Sequence, residues 1–162
     1  MPDFEKIGFG GGCHWCTEAV FTFLKGVENV EQGWIASEHP NDSFSEAVIV
    51  HFNPEIISIN DLIAIHLHTH QCTSNHSMRT KYRSAIYFFD ADQKFLIAEV
   101  LKQQQADFEA KIVTKALPFK GFKPSPPRYQ NYYEKDPEKP FCQTYISPKL
   151  NMLRQKFSLS LT

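Results

Sequence analysis

The stretch FEKIGFGGGCHWCTEAVFTFL, running from Phe4 to Leu24, decides the fold. Phe4 to Phe9 reads as a short strand, Gly10, Gly11 and Gly12 break it, and Ala19, Val20, Phe23 and Leu24 then recur at helical spacing. Gly26 supplies a C-terminal stop, because glycine tolerates the left-handed backbone that ends many helices. Strand, glycine turn and helix in this order open a β-α unit.

Outward from this unit, Val30 to Ala36 reads as a second strand. Ala47 to Phe52 reads as a third, ended by Asn53-Pro54, where proline cannot continue a ladder. His39, Pro40, Asn41 and Asp42 mark the loop between them. Ser58 with Asp61 has the pattern of a capping box and opens a helix through Leu62, Ile63, Ile65 and Leu67 towards His70. Tyr82 to Phe89 is expected to form a buried strand. Asp90 with Gln93 caps a long polar-faced helix expected to reach about Val113, and Pro118 and Pro124 to Pro127 mark a loop. A short C-terminal helix is expected after Ser147-Pro148. The order β-α-β-β-α-β predicts an α+β fold: a ferredoxin-like split β-α-β core with a mixed sheet, flanking helices and a long C-terminal loop region.

With 162 residues, 42% hydrophobic and 22% charged, the chain has material for one core, so residues 1–162 are expected to form a single catalytic domain. Seventeen Lys plus Arg against eighteen Asp plus Glu leave no basic block, which argues against nucleic acid and anionic membrane as partners. The first residues carry no apolar signal region and no run of eighteen apolar residues occurs, so a cytoplasmic address is expected. In that reducing compartment the four cysteines are reactive, metal-binding or buried rather than a disulfide framework.

Cys13 follows the glycine turn and opens the helix, where unpaired backbone N–H groups and the positive end of the dipole favour thiolate over thiol. Cys16 lies three residues on, so both sulfurs can meet in the first helical turn, as in Cys-x-x-Cys redox pairs. The pair by itself names no substrate and suits a general thiol-disulfide oxidoreductase equally well. His66, His68, His70, Cys72 and His76 lie close in sequence, yet no familiar zinc spacing is completed, so no metal is expected.

Further segments add to the cysteine pair. Gly12-Cys13-His14-Trp15-Cys16-Thr17-Glu18 resembles the Gly-Cys-Phe-Trp-Gly/Cys signature of the methionine sulfoxide reductase A family. Ser45-Glu46-Ala47-Val48, Tyr82-Arg83-Ser84-Ala85-Ile86-Tyr87 and Tyr132-Tyr133-Glu134-Lys135-Asp136-Pro137 are similar to three more of its motifs, in the family's order. The Tyr82–Tyr87 hexapeptide matches without change, and the resemblance spans about residues 7 to 142.

The resemblance implies reduction of methionine S-sulfoxide, peptide-bound or free. Cys13 would attack the sulfoxide sulfur, Glu46 would protonate its oxygen, Tyr82 would hydrogen-bond that oxygen, and Trp15 beside His14 would wall the methyl group. A sulfenic acid on Cys13 would condense with Cys16 to a disulfide, recycled by thioredoxin without organic cofactor or metal. Cys142 falls near the position of a C-terminal resolving cysteine and would act as a second resolver. The sequence departs from the family pattern where His14 replaces phenylalanine, where Trp34 to Ser43 lacks a tyrosine, and where Ser77 stands for an aspartate.

Overall fold

The computed structural model describes residues 4–74, 79, 81–131, 135, 138–139, 148 and 150–152. Its strands are β1 (Glu5–Gly10), β2 (Val27–Ala36), β3 (Ser45–Phe52), β4 (Ala85–Phe88), β5 (Lys115–Pro118) and β6 (Gly121–Pro124). Its helices are α1 (His14–Thr22), α2 (Ile59–His68) and α3 (Ala91–Gln104). The strands form one sheet in the order β5-β4-β1-β3-β2-β6. β1 is antiparallel to both β3 and β4, and β2 is antiparallel to β3 and β6, while β5 runs parallel to β4. The four central strands therefore carry the expected split β-α-β order, and the sheet is mixed because of β5.

Alternation along the strands separates two cores. Ile7, Phe9, Val48, Val50, Phe52 and Ile86 pack under α1, α2 and α3, against Val20, Phe21, Leu62, Ile63, Leu67 and Ile97. Ile35, Ala47, Ile49, Ala85 and Tyr87 face the other way, covered by Phe89, Leu117, Phe119 and Phe122. Helix α2 starts where the Ser58 hydroxyl accepts from Asp61 N–H at 3.1 Å, which satisfies one of the orphan amides of the first turn. Helix α3 starts in the same way at Asp90, whose carboxylate accepts from Gln93 N–H at 2.8 Å. Gln93 reaches back to accept from Phe89 N–H at 2.9 Å.

Three expectations need correction. The strand expected over Tyr82 to Phe89 pairs as a ladder only over Ala85–Phe88. Before it, the chain is held by the start of β3: Arg83 N–H donates to Ser45 Oγ at 2.8 Å and Glu46 N–H donates to Lys81 O at 3.0 Å. The long helix stops at Gln104 and gives way to a 3-10 turn over Gln105–Asp107. The Gln105 side chain then binds the returning chain ahead of β5, accepting from Ile112 N–H and donating to Ala110 O, both at 2.9 Å. The stretch read as loop contributes β5 and β6, edge strands of four residues each. Pro118 and Pro124 end them, consistent with the confinement of proline to sheet edges. The helix expected after Ser147-Pro148 falls largely outside the described residues, although Leu150 is buried in the larger core.

Candidate active site

The register of the sheet brings separate segments to one end. Gly10, the last residue of β1, pairs with Ala47, and Ala47 pairs on its other side with Gly33 of β2. Glu46 therefore enters β3 beside the turn that carries Cys13, opposite Trp34. Because Glu46 alternates with Ala47, it shares a sheet face with Val48 and Val50, the face covered by α1.

The turn into α1 is built on the glycines. Gly11 has φ of +154°, and a Cβ there would lie 2.5 Å from the His70 ring, so both the backbone and the space require glycine. His66 Nε2–H donates to Gly10 O at 2.9 Å, and the His66 and His70 rings stack at 4.2 Å beneath the turn. Arg79 donates from Nη1 to Gly11 O at 3.0 Å and to Tyr82 O at 2.9 Å, which couples the cysteine turn to the segment before β4. Cys13 is the N-cap: its carbonyl accepts from Cys16 N–H and Thr17 N–H at 3.0 and 3.1 Å, and its thiol makes no capping bond.

None of Cys13, Cys16 and Cys72 is in a disulfide; Cys13 is partly exposed and the other two are buried. The helix terminus, expected to favour a Cys13 thiolate, is opposed here by other groups. The neighbouring Cys16 side chain is the largest influence, followed by burial, with the Cys16 and Glu46 charges adding to it. Together they outweigh the Trp15 backbone amide and push the Cys13 thiol well above its ordinary range. These influences favour the neutral thiol of Cys13 over its thiolate.

Glu46 is 7% exposed and held by three contacts. His14 N–H donates to Oε1 at 3.3 Å, His14 Nε2 lies 3.5 Å from the same oxygen, and Lys81 Nζ lies 3.7 Å from Oε2. His14 itself is buried, with Nδ1–H donating to Gly33 O at 2.7 Å and the Trp34 ring edge-on at 5.1 Å. Burial lowers the His14 pKa below its ordinary value, against the opposing pull of the Gly33 carbonyl and Glu46. Trp15 packs at 5.4 Å from the Tyr129 ring and 6.2 Å from the His14 ring.

The residues of the chain match the family model described as peptide methionine sulfoxide reductase over residues 5–160. The chain belongs to the peptide methionine sulfoxide reductase family. It is 36% identical to the peptide methionine sulfoxide reductase MsrA of Acinetobacter baumannii strain AYE, covering 94% of this chain and 96% of that one. It is 30% identical to the MsrA of Sulfolobus acidocaldarius, covering 94% and 95% respectively. Among solved structures, Mxr1 from Saccharomyces cerevisiae in reduced form shares the fold with a TM-score of 0.77 at 23% identity, over 88% of this chain and 91% of that one. Mxr1 in complex with Trx2 superposes with a TM-score of 0.63 at 22% identity, over 80% and 84%.

Within this reductase the structure brings together Cys13, Cys16, His14 and Glu46. Tyr82 is half-buried and linked to Glu46 through Lys81, whose ammonium lies 5.1 Å from the Tyr82 ring and 3.7 Å from Glu46. Cys142, Ser77, His76 and most of Tyr132–Pro137 lie outside the described residues. Among the described residues no group of three or more His, Cys, Asp or Glu side chains is placed to hold a metal ion, and no helix is long and apolar enough to cross a membrane. Two residues escaped the sequence reading. Lys81 adjoins the hexapeptide and could have been flagged as a charge next to a family motif. Tyr129 sits in a proline-rich run, where nothing signals that it will pack against Trp15.

Proposed function

We propose that this methionine sulfoxide reductase acts on the S epimer through Cys13, with Glu46 as acid and Cys16 as resolving thiol. The observation that carries the reading is the meeting of a free N-cap thiol with a buried carboxyl at one sheet end, joined by His14. A sulfoxide has a positive sulfur and a negative oxygen, so its reduction needs a soft nucleophile and a proton donor together. As the Cys13 sulfur bonds to the substrate sulfur and loses its proton, Glu46 gives a proton to the oxygen. The oxygen then passes to Cys13, leaving a sulfenic acid and a thioether. The substrate sulfur gains two electrons and Cys13 loses two. Cys16 displaces water from the sulfenic acid and closes a disulfide.

Trp15, with His14 beside it and Tyr129 behind, supports a wall for the substrate methyl group, where aromatic area and sulfur–aromatic contact hold a small handle. Tyr82 serves as a second donor to the oxygen. An external dithiol must open the disulfide; the Mxr1–Trx2 complex supports thioredoxin in that role, and Cys142 is retained as a second resolver.

Turnover of a peptide carrying resolved S- or R-methionine sulfoxide with dithiothreitol tests these roles. Wild type is expected to consume the S epimer alone, Cys13→Ser to be inactive, and Cys16→Ser to release one equivalent of methionine. Glu46→Gln is expected to slow turnover by about 10²–10⁴-fold, the usual contribution of a positioned acid. If neither epimer reacts while small disulfides are reduced, the chain is a general thiol-disulfide oxidoreductase instead.

A further inference from the structure

Histidine at position 14 stands where the signature otherwise has phenylalanine, and its contacts define its chemistry. Gly33 O can only accept, so the 2.7 Å bond to Nδ1 requires the hydrogen on Nδ1. In the neutral ring Nε2 is then a bare lone pair, and it lies 3.5 Å from Glu46 Oε1. Two acceptors facing one another in a buried site repel unless a proton lies between them. The His14 side chain is 6% exposed and that of Glu46 9%, so water has little room to mediate the contact. The same carboxyl oxygen already receives His14 N–H at 3.3 Å, which fixes it against the imidazole.

The surroundings leave few competitors for this proton. Glu46 arrives from β3 and Lys81 from the segment before β4, at 3.7 Å from the other carboxyl oxygen. Cys13 adjoins on the same turn and interacts electrostatically with Glu46. From β2 come only the Gly33 carbonyl and the Trp34 ring. A Cβ on Gly33 would lie 2.0 Å from Lys123 O, so the residue supplying that carbonyl must be glycine for β6 to dock.

We propose that His14 and Glu46 hold one proton in common, with His14 as the positioning residue that keeps it at the carboxyl and restores it after each turnover. The inference rests on Glu46 being the acid. The proton account closes: the pair gives its proton to the sulfoxide oxygen, and the proton leaving the Cys13 thiol as its sulfur attacks returns to the pair. No external acid is consumed, and the resting thiol form of Cys13 becomes an asset because it carries the replacement proton. Imidazole suits the task because a single nitrogen can both accept and return a proton.

Two measurements on the full chain test this. Ring ¹⁵N spectra of the reduced protein should show His14 in the Nδ1–H form across neutral pH, with an Nε2 resonance that moves when Glu46→Gln is introduced. The pH profile of kcat with N-acetyl-methionine sulfoxide and dithiothreitol is then compared for wild type, His14→Gln and His14→Phe. Neither replacement can relay a proton, so both should lower kcat at pH 8 by about tenfold or more while KM moves less than about threefold, given the size of acid–base contributions. The basic limb of His14→Gln should lie at lower pH, because its amide donates permanently to the carboxylate. Profiles shaped like wild type, or an Nε2 resonance indifferent to Glu46→Gln, overturn the proposal. If Glu46→Gln itself turns over like wild type, the acid assignment fails and this inference falls with it. If Glu46→Gln is slow while His14→Gln keeps the wild-type profile, only the His14 role fails.

Discussion

His14 and Cys13 are neighbours whose ionisation is displaced in opposite directions, one pKa down and the other up, and in both cases the uncharged form is favoured. For His14 the consequence extends to stability. Its pKa in the folded chain lies below its ordinary 6.5, so below that pH the unfolded chain binds the proton more readily than the folded one. Stability is therefore expected to fall as pH drops through and below 6.5, and the fall to be shallower in His14→Phe. Urea unfolding of both proteins at pH 5.5 and 7.5 reads the difference, and an equal loss in each would contradict it. Gly11→Ala forces a left-handed backbone on a residue with a side chain and drives its Cβ into His70. It is expected to destabilise by more than about 1 kcal/mol and to depress turnover by displacing Cys13; thermal melts and kcat check the two parts. Cys13 and Cys16 were legible from spacing. Glu46 was legible only through the motif resemblance, because a single glutamate near a strand start looks like any solvated residue until its burial is known.

The helices illustrate what local signals achieve. Ser58 and Asp90 were readable as caps because each side chain acts on an amide three residues away. Asp90→Ala is expected to remove about 1 kcal/mol of stability, measured by chemical denaturation, with kcat unchanged because α3 lies away from the cysteine turn. The far end of α3 was misjudged for the complementary reason: Gln105 stops the helix by bonding to Ala110 and Ile112, a partnership that exists only after the chain turns back. β4 was overextended because Tyr82 to Ser84 has strand-like composition, yet Ser45 and Lys81 contribute bonds that hold it off the ladder.

Across the whole molecule, a buried polar seam fastens the late segment to the first half. Gln32 is fully buried, donates to Glu18 Oε1 and Tyr129 O, both at 2.9 Å, and accepts from Ser125 Oγ at 2.8 Å. Gln130 donates to Gln32 O at 2.8 Å, and Asn131 N–H to Glu18 Oε2 at 2.9 Å. Gln32→Ala deprives buried groups of their partners, at about 1–3 kcal/mol each, and loosens Tyr129 from Trp15. Lower stability and a raised KM with kcat largely kept are expected, read by melts and steady-state kinetics. The sequence by itself determined the order of the central elements, the glycine turn, the spacing of Cys13 and Cys16, and the family. Each is local or carried by a contiguous motif, so hydrophobic period, backbone freedom and residue spacing suffice to read it. Only the tertiary structure decided that Glu46 meets His14, that Cys16 and burial push the Cys13 thiol up, that Tyr129 backs Trp15, and that two short strands extend the sheet. These depend on burial and on contacts between residues 14 and 46, 15 and 129, or 34 and 123, and proximity of that kind arises from strand register and packing rather than from any local pattern.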